Sequence, residues 1–296
     1  MDIPAKENEN RQFRLPDGRR LGFAEYGDPN GLPLILFHGT PGSRLMFRFA
    51  DQAALRSGLR LIAPDRPGIG LSDRLPERTI PGWCGDVARL ADHLKLEQFG
   101  VAGISGGGPY ALACAHGLAD RLTYVGVISG FGPLADAEAH AALKWRYRFL
   151  FALAGIGGIT LWISVRVLGL LFRIAPAAVF RWAMASEING GGGPKIDADV
   201  FRTFVDAALE AMRDGPDGIG DDLHLMARPW GFDLGQISVP LEIWHGGEDR
   251  VVPFEMGLYI AAAVPGCQFH AIEEEGHFLG ATRISEILRR YESAPR

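Results

Sequence analysis

The sequence predicts an α/β fold, in which a mostly parallel β-sheet carries helices on both faces and a helical segment interrupts the alternation. Short apolar runs alternate with segments of helical spacing as far as Gly132, which is typical of a parallel sheet with crossover helices. From residue 133 to 232 the pattern is helical instead, and strands resume after it. We therefore predict a core of residues 1–132 and 233–296 and an inserted helical cap, or lid, of residues 133–232.

The first strands and helices follow one another in regular order. Residues 11–27, RQFRLPDGRRLGFAEYG, predict a β-hairpin because alternating apolar residues flank a PDG turn. The apolar run of residues 32–39, LPLILFHG, is typical of a strand buried on both faces, and residues 43–58 then show helical spacing. The strand of residues 59–65 and the amphipathic helix of residues 82–96 repeat this unit.

The later elements carry the same signals. They are the strand 98–105, the helix 109–119, the strand 122–130 and, after the insertion, the strands 239–246 and 267–276 and the helix 281–292. A helical insertion in such an alternation is expected to lie over the carboxyl edge of the sheet, where ligands bind in folds of this class.

Charge, cysteine content and the first residues exclude several classes of protein. A net charge of −5 argues against a nucleic-acid partner, since such proteins usually show a basic face. Cys84, Cys114 and Cys267 are an odd number in apolar surroundings and predict reduced thiols in a cytoplasmic protein. The polar start, residues 1–13, lacks the apolar run of a signal peptide. No Cys/His cluster or H-E-x-x-H motif occurs, so we predict neither a metal nor a cofactor.

One segment is long and apolar enough to need comparison with a membrane span. Residues 149–165 are uncharged for 17 residues between Arg148 and Arg166, whereas a spanning helix needs about 20 apolar residues. Three glycines between residues 155 and 158 interrupt the run. We expect two apolar helices over a pocket, broken at the glycines, and a flexible stretch at the NGGGGP of residues 189–194.

The stretch from Gly103 to Gly107 reads GISGG and matches the motif G-x-S-x-G between a predicted strand and a predicted helix. In such a turn the serine adopts strained dihedral angles, and the residues two before and two after it must lack bulk. The turn lifts Ser105 clear of the sheet at a helix N-terminus, which favours developing negative charge. Neither a P-loop nor a dinucleotide-binding pattern matches here. Ser105 is therefore the candidate nucleophile.

A serine hydroxyl needs a base, an acid that orients the base, and donors for the oxyanion. His277, in the loop between the last predicted strand and the last helix, is the candidate base. Asp249, in the loop GGEDRVVP after a strand, can orient the imidazole. The backbone N–H groups of Thr40, in the loop HGTPG, and of Gly106 are candidates for a two-donor oxyanion hole.

These motifs together resemble the α/β-hydrolase superfamily, in its serine hydrolase branch with a helical cap and an HGTPG oxyanion loop. The resemblance rests on HGTPG, DRPGIGLSD (residues 65–73), GISGG, GGEDRVVP and GHF, in that order along nearly the whole chain. It implies an eight-stranded, mostly parallel sheet, a cap inserted after the sixth strand and a triad of Ser105, Asp249 and His277. It also implies Asp136 as an alternative acid, although the Asp249 loop fits better. A serine nucleophile argues against the dehalogenase and epoxide-hydrolase branches.

The HGTPG loop differs by one residue from the HGGPG of the proline iminopeptidases. The tryptophan typical of that branch near the nucleophile is missing here. An aminopeptidase would also need carboxylates to hold the free amine of its substrate, for which Glu187 or Asp197 are the candidates. His38 of the same loop is expected to brace the loop rather than to take part in catalysis.

Aromatic residues recur through the predicted cap: Trp145, Phe149, Phe151, Trp162, Phe172, Phe180 and Trp182. We expect most of them to pack on one another and on the sheet, because apolar residues at helical spacing usually face a core. Those left facing Ser105 would form a hydrophobic pocket. We therefore predict a serine hydrolase, of carboxylesterase or lipase type, that cleaves a carboxylic ester of a small to medium hydrophobic substrate through an acyl-enzyme.

Other functions stay open at this point. Within the same class they are an aminopeptidase of the iminopeptidase kind, a lactonase or C–C bond hydrolase, and a cofactor-free peroxidase-like enzyme. A protein of another class, a ligand receptor, would keep the fold without turnover. The cap could also dock on a bilayer surface, with Arg148, Arg166 and Arg173 at the lipid headgroups.

Overall fold

The computed structural model describes residues 7–188 and 196–293, so the predicted flexible stretch 189–194 lies outside the described residues. Within this part of the chain the strands form an eight-stranded sheet. The strands are β1 (Arg11–Arg14), β2 (Arg20–Gly27), β3 (Leu32–Phe37), β4 (Leu59–Pro64), β5 (Phe99–Ile104), β6 (Leu122–Ile128), β7 (Leu241–Gly246) and β8 (Gln268–Ile272).

The strand order is β1-β2-β4-β3-β5-β6-β7-β8. The predicted hairpin is present, since β1 pairs with β2 antiparallel, and β2 pairs antiparallel with β4. The other neighbouring pairs, from β4-β3 to β7-β8, are parallel. The predicted fold class, a mostly parallel eight-stranded sheet with helices, is therefore confirmed.

The helices of the predicted core segments and of the insertion are present, and one further helix, between β7 and β8, was not predicted from the sequence. They are α1 (Asp51–Arg56), α2 (Trp83–His93), α3 (Gly108–Gly117), α4 (Ala137–Ala142), α5 (Trp145–Ile156), α6 (Gly158–Ile174), α7 (Pro176–Ala183), α8 (Ala185–Ile188), α9 (Ala198–Ala211), α10 (Asp217–Met226), α11 (Phe254–Ala263), α12 (Leu279–Thr282) and α13 (Ile284–Glu292). Short 3-10 helices cover Glu7–Glu9, Arg44–Ala50, Ser105–Gly107, Ala119–Arg121 and Leu234–Gln236. The helix predicted over residues 43–58 thus begins as a 3-10 helix and continues as α1.

Two apolar layers, one on each face of the sheet, form the core. In β3, Leu34 and Leu36 pack with α1 and α13 on one face. Ile35 and Phe37 pack with α2 and α3 on the other face, because successive side chains of a strand point to opposite sides. Cys84 and Cys114 are buried in this second layer, and all three cysteines are free thiols.

Helices α4 to α10 leave the sheet after β6 and precede β7, and we call them the helical insertion. The helical conformation is interrupted between α5 and α6 by two glycines of positive φ, Gly157 at +67° and Gly158 at +71°. An L-residue with a side chain adopts these angles at a cost, so the glycines explain where α5 ends. No helix in the described part of the chain combines the length and apolarity needed to cross a bilayer.

The aromatic residues of the insertion divide into two groups. Phe151, Phe172 and Phe180 are buried, and Trp162 is half-buried. The remaining aromatic residues of the predicted set are exposed: Trp145 at 77%, Phe149 at 70% and Trp182 at 73%. Four of the seven thus pack, as expected for most of them, and these three lie exposed on α5 and α7.

Candidate active site

Ser105 lies at the sharp turn between β5 and α3, and its φ of +54° is in the left-handed region. Two of the glycines are required by close backbone approach. A Cβ on Gly103 would lie 2.2 Å from the carbonyl oxygen of Gly107, and a Cβ on Gly107 would lie 2.2 Å from that of Phe37. The turn therefore closes only without side chains at these positions, and it holds Ser105 in a conformation that non-glycine residues seldom adopt.

Ser105, His277 and Asp249 form a hydrogen-bonded chain at the carboxyl edge of the sheet. His277, between β8 and α12, has its Nε2 3.1 Å from Ser105 Oγ and its Nδ1 2.8 Å from Asp249 Oδ2. Asp249 follows β7, and its second oxygen accepts from the backbone N–H groups of Val251 and Val252 at 2.9 and 2.8 Å. Two residues that are far from His277 in sequence thus lie within hydrogen-bonding distance of the two nitrogens of its ring.

The charges around these three hydrogen-bonded residues favour a His277 imidazole that can accept a proton. Burial alone would lower the pKa of His277, but the carboxylate of Asp249 outweighs burial and raises the pKa above its ordinary value. Because the ionised carboxylate of Asp249 accepts from Nδ1–H, the neutral ring leaves Nε2 free to accept from the serine hydroxyl. The geometry can support proton transfer between Ser105 Oγ and His277 Nε2.

The two candidate oxyanion donors are neighbours. A Cβ built on Gly106 would lie 3.1 Å from the backbone nitrogen of Thr40, so the two peptide groups are close together. A Cβ on Gly39 would lie 3.4 Å from Ser105 Cβ, which brings the HGTPG loop against the serine.

A buried arginine holds the HGTPG loop. Arg66, in the loop after β4, donates to the carbonyl oxygens of His38 and Gly39 at 2.6 and 3.2 Å and to Thr40 Oγ1 at 2.9 Å. His38 Nδ1 lies 2.9 Å from the Gly39 carbonyl, and its Nε2 accepts from the backbone N–H of Arg66. Burial, with the nearby Arg66 guanidinium, lowers the pKa of His38 well below its ordinary value. A neutral His38 therefore belongs to the support of this loop.

The partner of this arginine comes from the helical insertion. Asp222 of α10 is fully buried and accepts from Arg66, Arg78, Tyr110 and Thr40 Oγ1, with donor–acceptor distances of 2.6 to 3.2 Å. Burial alone would raise the pKa of Asp222, but the guanidinium groups of Arg66 and Arg78 hold it well below the ordinary value. Asp222 was not predicted from the sequence, because a carboxylate on a predicted cap helix is usually solvated.

A second carboxylate of the insertion bridges two loops. Glu187 of α8 accepts from the backbone N–H of His277 at 2.6 Å and from that of Arg250 at 3.0 Å. Both of its oxygens are thus used beside the residues of the hydrogen-bonded chain. Asp197, the other candidate for holding a substrate amine, caps α9 by accepting from the N–H groups of Asp199 and Val200. Neither carboxylate has the arrangement expected of an amine-binding pair.

Asp136, the alternative acid, is hydrogen-bonded to Tyr259 and not to His277. It accepts from the hydroxyl of Tyr259 at 2.5 Å, and Asp249 is the carboxylate that contacts His277. Asp136 is exposed, whereas Asp249 is buried.

A small apolar cavity adjoins Ser105 and His277. Met46 and Phe278 of the core line it together with Phe180, Met184 and Phe204 of the insertion. The ring of Phe204 stacks on Phe180 and tilts against Phe278. The cavity measures about 50 Å³, below the roughly 300–1,000 Å³ common for ligand sites.

A larger cleft of about 460 Å³ lies between residues 76–81 and 221–231, but neither Ser105 nor His277 lines it. Within residues 7–188 and 196–293, no three His, Cys, Asp or Glu side chains are grouped so that they could hold a metal ion. The small cavity therefore marks the candidate active site.

Comparisons with known proteins agree with this architecture. The family described as alpha/beta hydrolase fold matches residues 33–283. The chain is 26% identical over 280 residues to a poly(3-hydroxyalkanoate) depolymerase of Ectopseudomonas oleovorans, covering 88% of this chain and 83% of that protein. It is 25% identical over 297 residues to a 2-hydroxymuconate semialdehyde hydrolase of Pseudomonas putida, covering 99% and 96%. A thermophilic esterase from Thermogutta terrifontis superposes with a TM-score of 0.66 at 23% identity over 97% and 98% of the two chains.

The fold and the site define a hydrolase of α/β architecture. The chain belongs to the α/β-hydrolase family, as the motifs of the sequence predict.

Proposed function

We propose that the protein is a serine esterase that cleaves carboxylic esters of small to medium hydrophobic acids or alcohols through an acyl-enzyme. The hydrogen-bonded chain from Asp249 through His277 to Ser105, with distances of 2.8 and 3.1 Å, is the observation that carries the proposal. The strained φ of Ser105 and the adjacent apolar cavity support it further.

Each residue has a defined task in the proposed mechanism. Ser105 Oγ attacks the ester carbonyl while His277 Nε2 takes the hydroxyl proton, and Asp249 stabilises the imidazolium. The backbone N–H groups of Thr40 and Gly106 bind the oxyanion, and loss of one such donor typically costs about 3 kcal/mol of barrier. His277 then protonates the departing alcohol. Water, deprotonated by His277, attacks the acyl-enzyme, and His277 then gives this proton to Ser105 Oγ as the acid departs.

The size and lining of the cavity favour a short acyl group. About 50 Å³ of space, walled by Phe180, Phe204 and Phe278, leaves little room for a long chain unless these side chains move. The depolymerase relative supports an ester substrate, because its named polymer is joined by ester bonds. We expect p-nitrophenyl esters of two to four acyl carbons to be cleaved fastest.

The decisive experiment combines labelling with a substrate panel. A fluorophosphonate probe should form an adduct at Ser105 of the wild type and of Ser164→Ala, a control on α6, but not of Ser105→Ala. The p-nitrophenyl esters and the proline and alanine amides should then be compared on the same proteins. Absence of an adduct in the wild type would favour a receptor without turnover, and faster cleavage of the amides would favour an aminopeptidase.

The second candidate function is hydrolysis of a C–C bond. It is favoured by the Pseudomonas putida relative, which matches nearly the whole chain. Ser105 and His277 would take part in either reaction, so only a comparison of substrates distinguishes C–C bond hydrolysis from ester hydrolysis. Turnover of 2-hydroxymuconate semialdehyde that exceeds turnover of every ester in the panel would replace the esterase proposal.

A further inference from the structure

Helix α6 is apolar on two opposite sides. Leu161, Val165 and Phe172 form a buried stripe. The other stripe is exposed and repeats every three or four residues: Ile159, Ile163, Val167, Leu170 and Ile174. A helix that is hydrophobic all round is normally covered on every side, by protein or by lipid. In α6 only one side is covered by other residues that the structure describes.

The exposed stripe is part of a larger apolar surface. Of the thirteen large apolar residues that are exposed in the described part of the chain, eleven lie on α5, α6 and α7. These eleven, which we call the outer apolar surface, are Trp145, Phe149, Leu150, Ile156, Ile159, Ile163, Val167, Leu170, Leu171, Ile174 and Trp182. A concentration of this kind marks an interaction site, whereas single exposed apolar residues do not.

The charged side chains of the segment that carries this surface have one sign. Residues 139–186 contain six Lys or Arg residues and no Asp or Glu, whereas the other residues carry 24 basic and 35 acidic side chains. Arg148, Arg173 and Arg181 are exposed, and none of the carboxylates that the structure describes forms an ion pair with them. Arg166 alone of the exposed arginines here pairs with a carboxylate, Asp217, at 2.9 Å.

We propose that the outer apolar surface docks on the surface of an anionic lipid bilayer. Helices α5 to α7 lie in the interface with their apolar side chains in the acyl boundary, while Lys144, Arg148, Arg173 and Arg181 meet the lipid phosphates. Trp145 and Trp182 have the amphipathic rings that favour the headgroup level. The helices do not cross the bilayer, in keeping with their length.

A lipid surface fits these residues better than a second copy of the chain. In a two-fold dimer the same surface faces itself, so the cations of residues 139–186 would oppose an identical cationic segment without a carboxylate to pair with. Anionic lipid supplies the missing negative charge. The docking does not depend on the proposed hydrolysis, and Ser105→Ala should bind vesicles as the wild type does.

The test is co-sedimentation of the full chain with large vesicles of phosphatidylcholine, with and without about 30 mol% phosphatidylserine. The wild type should bind the anionic vesicles and lose binding at high salt. The triple variant Ile159→Ser, Ile163→Ser, Ile174→Ser should bind at least about tenfold more weakly to them. Its matched control is Leu55→Ser with Leu258→Ser, which changes the two exposed leucines outside the surface and should bind normally.

A second set of variants tests the charge. Arg148→Gln, Arg173→Gln and Arg181→Gln together should weaken binding to anionic vesicles about a hundredfold, at about fivefold for each arginine. Arg56→Gln, Arg89→Gln and Arg289→Gln remove the same charge elsewhere on the exposed surface and should cost much less. Unchanged melting temperature and unchanged cleavage of a soluble ester show that each variant is folded.

Three results would overturn the proposal. The first is a wild type that does not bind anionic vesicles. The second is a triple Ile→Ser variant that binds them as strongly as the wild type does. The third is a wild-type dimer in sedimentation velocity that the isoleucine variant converts to a monomer while neither protein binds vesicles, which would assign the surface to a contact between copies.

Discussion

The sheet and the helical insertion both reach the candidate active site, but through different kinds of contact. Loops at the edge of the sheet bring Ser105, His277 and Asp249 together side chain to side chain. The insertion contributes two carboxylates, Asp222 and Glu187, which bind the loops beside these residues and not the serine. Under the proposed mechanism, the core therefore supplies the reacting groups and the insertion fixes the loops that carry them.

Substitution on the sheet side should have the largest effect. Asp249→Asn keeps the shape of the side chain but removes the charge that orients and stabilises the imidazole of His277. We expect kcat for a short ester to fall by about 10⁴, with little change in KM. Steady-state kinetics measures this. A loss below about tenfold would assign the orienting role to another group.

Substitution on the insertion side should reduce stability first and activity second. Asp222→Asn leaves Arg66 and Arg78 buried without their counter-charge, so the free energy of unfolding should fall by about 3–5 kcal/mol. The HGTPG loop also loses the charged acceptor of its Thr40 hydroxyl, and kcat should fall by up to about a hundredfold.

The neighbouring Asp221→Asn is the matched control for Asp222→Asn. Asp221 pairs with the partly exposed Arg74, so its loss should cost about 1 kcal/mol or less. Urea unfolding and the split between kcat and KM separate the two variants. Equal effects of the two substitutions would contradict the support of the oxyanion loop by Asp222.

A smaller effect is expected at the other bridging carboxylate. Glu187→Gln retains an acceptor but loses its charge, so the hydrogen bonds to the N–H groups of His277 and Arg250 weaken. We expect kcat/KM to fall about tenfold. Glu248→Gln, an exposed residue of the Asp249 loop, should leave kcat/KM close to that of the wild type. A similar loss in both variants would show that loop charge alone matters.

The smallest expected effect is a shift in the pH dependence of kcat/KM, which also compares a substitution in the core with one in the insertion. The mechanism needs a neutral His277, whose pKa is raised, so kcat/KM should be lost as pH falls through a midpoint above 6.5. Asp249→Asn leaves burial as the main influence and should move this midpoint to lower pH. Glu187→Gln should move it less in the same direction. A midpoint that stays in place in both variants would mean that another group titrates.

The residues next to Ser105 were sufficient to predict its turn, because the turn depends on the glycines on either side of the serine. Gly103 and Gly107 stand where any side chain would meet backbone, and that constraint is visible as G-x-S-x-G. Asp249 and His277 were found because both follow strands of one parallel sheet, whose carboxyl ends share an edge. Their distances could come only from the structure.

Asp222 and Glu187 could not be found in this way, since their partners lie far away in sequence. Asp222 bonds Thr40, 182 residues away, and nothing in the residues around it distinguishes it from Asp221. The exposure of Trp145 and Trp182 was missed for a related reason. Where a helix is apolar on every side, spacing alone cannot tell which side meets the core.

Helix α7 contributes to both the cavity beside Ser105 and the outer apolar surface, since Phe180 lines the former and Trp182 belongs to the latter. An α-helix with its side chains is about 10–12 Å across. If both proposals hold, a water-insoluble ester held in a bilayer against Trp182 would lie about one helix width from the cavity that adjoins Ser105.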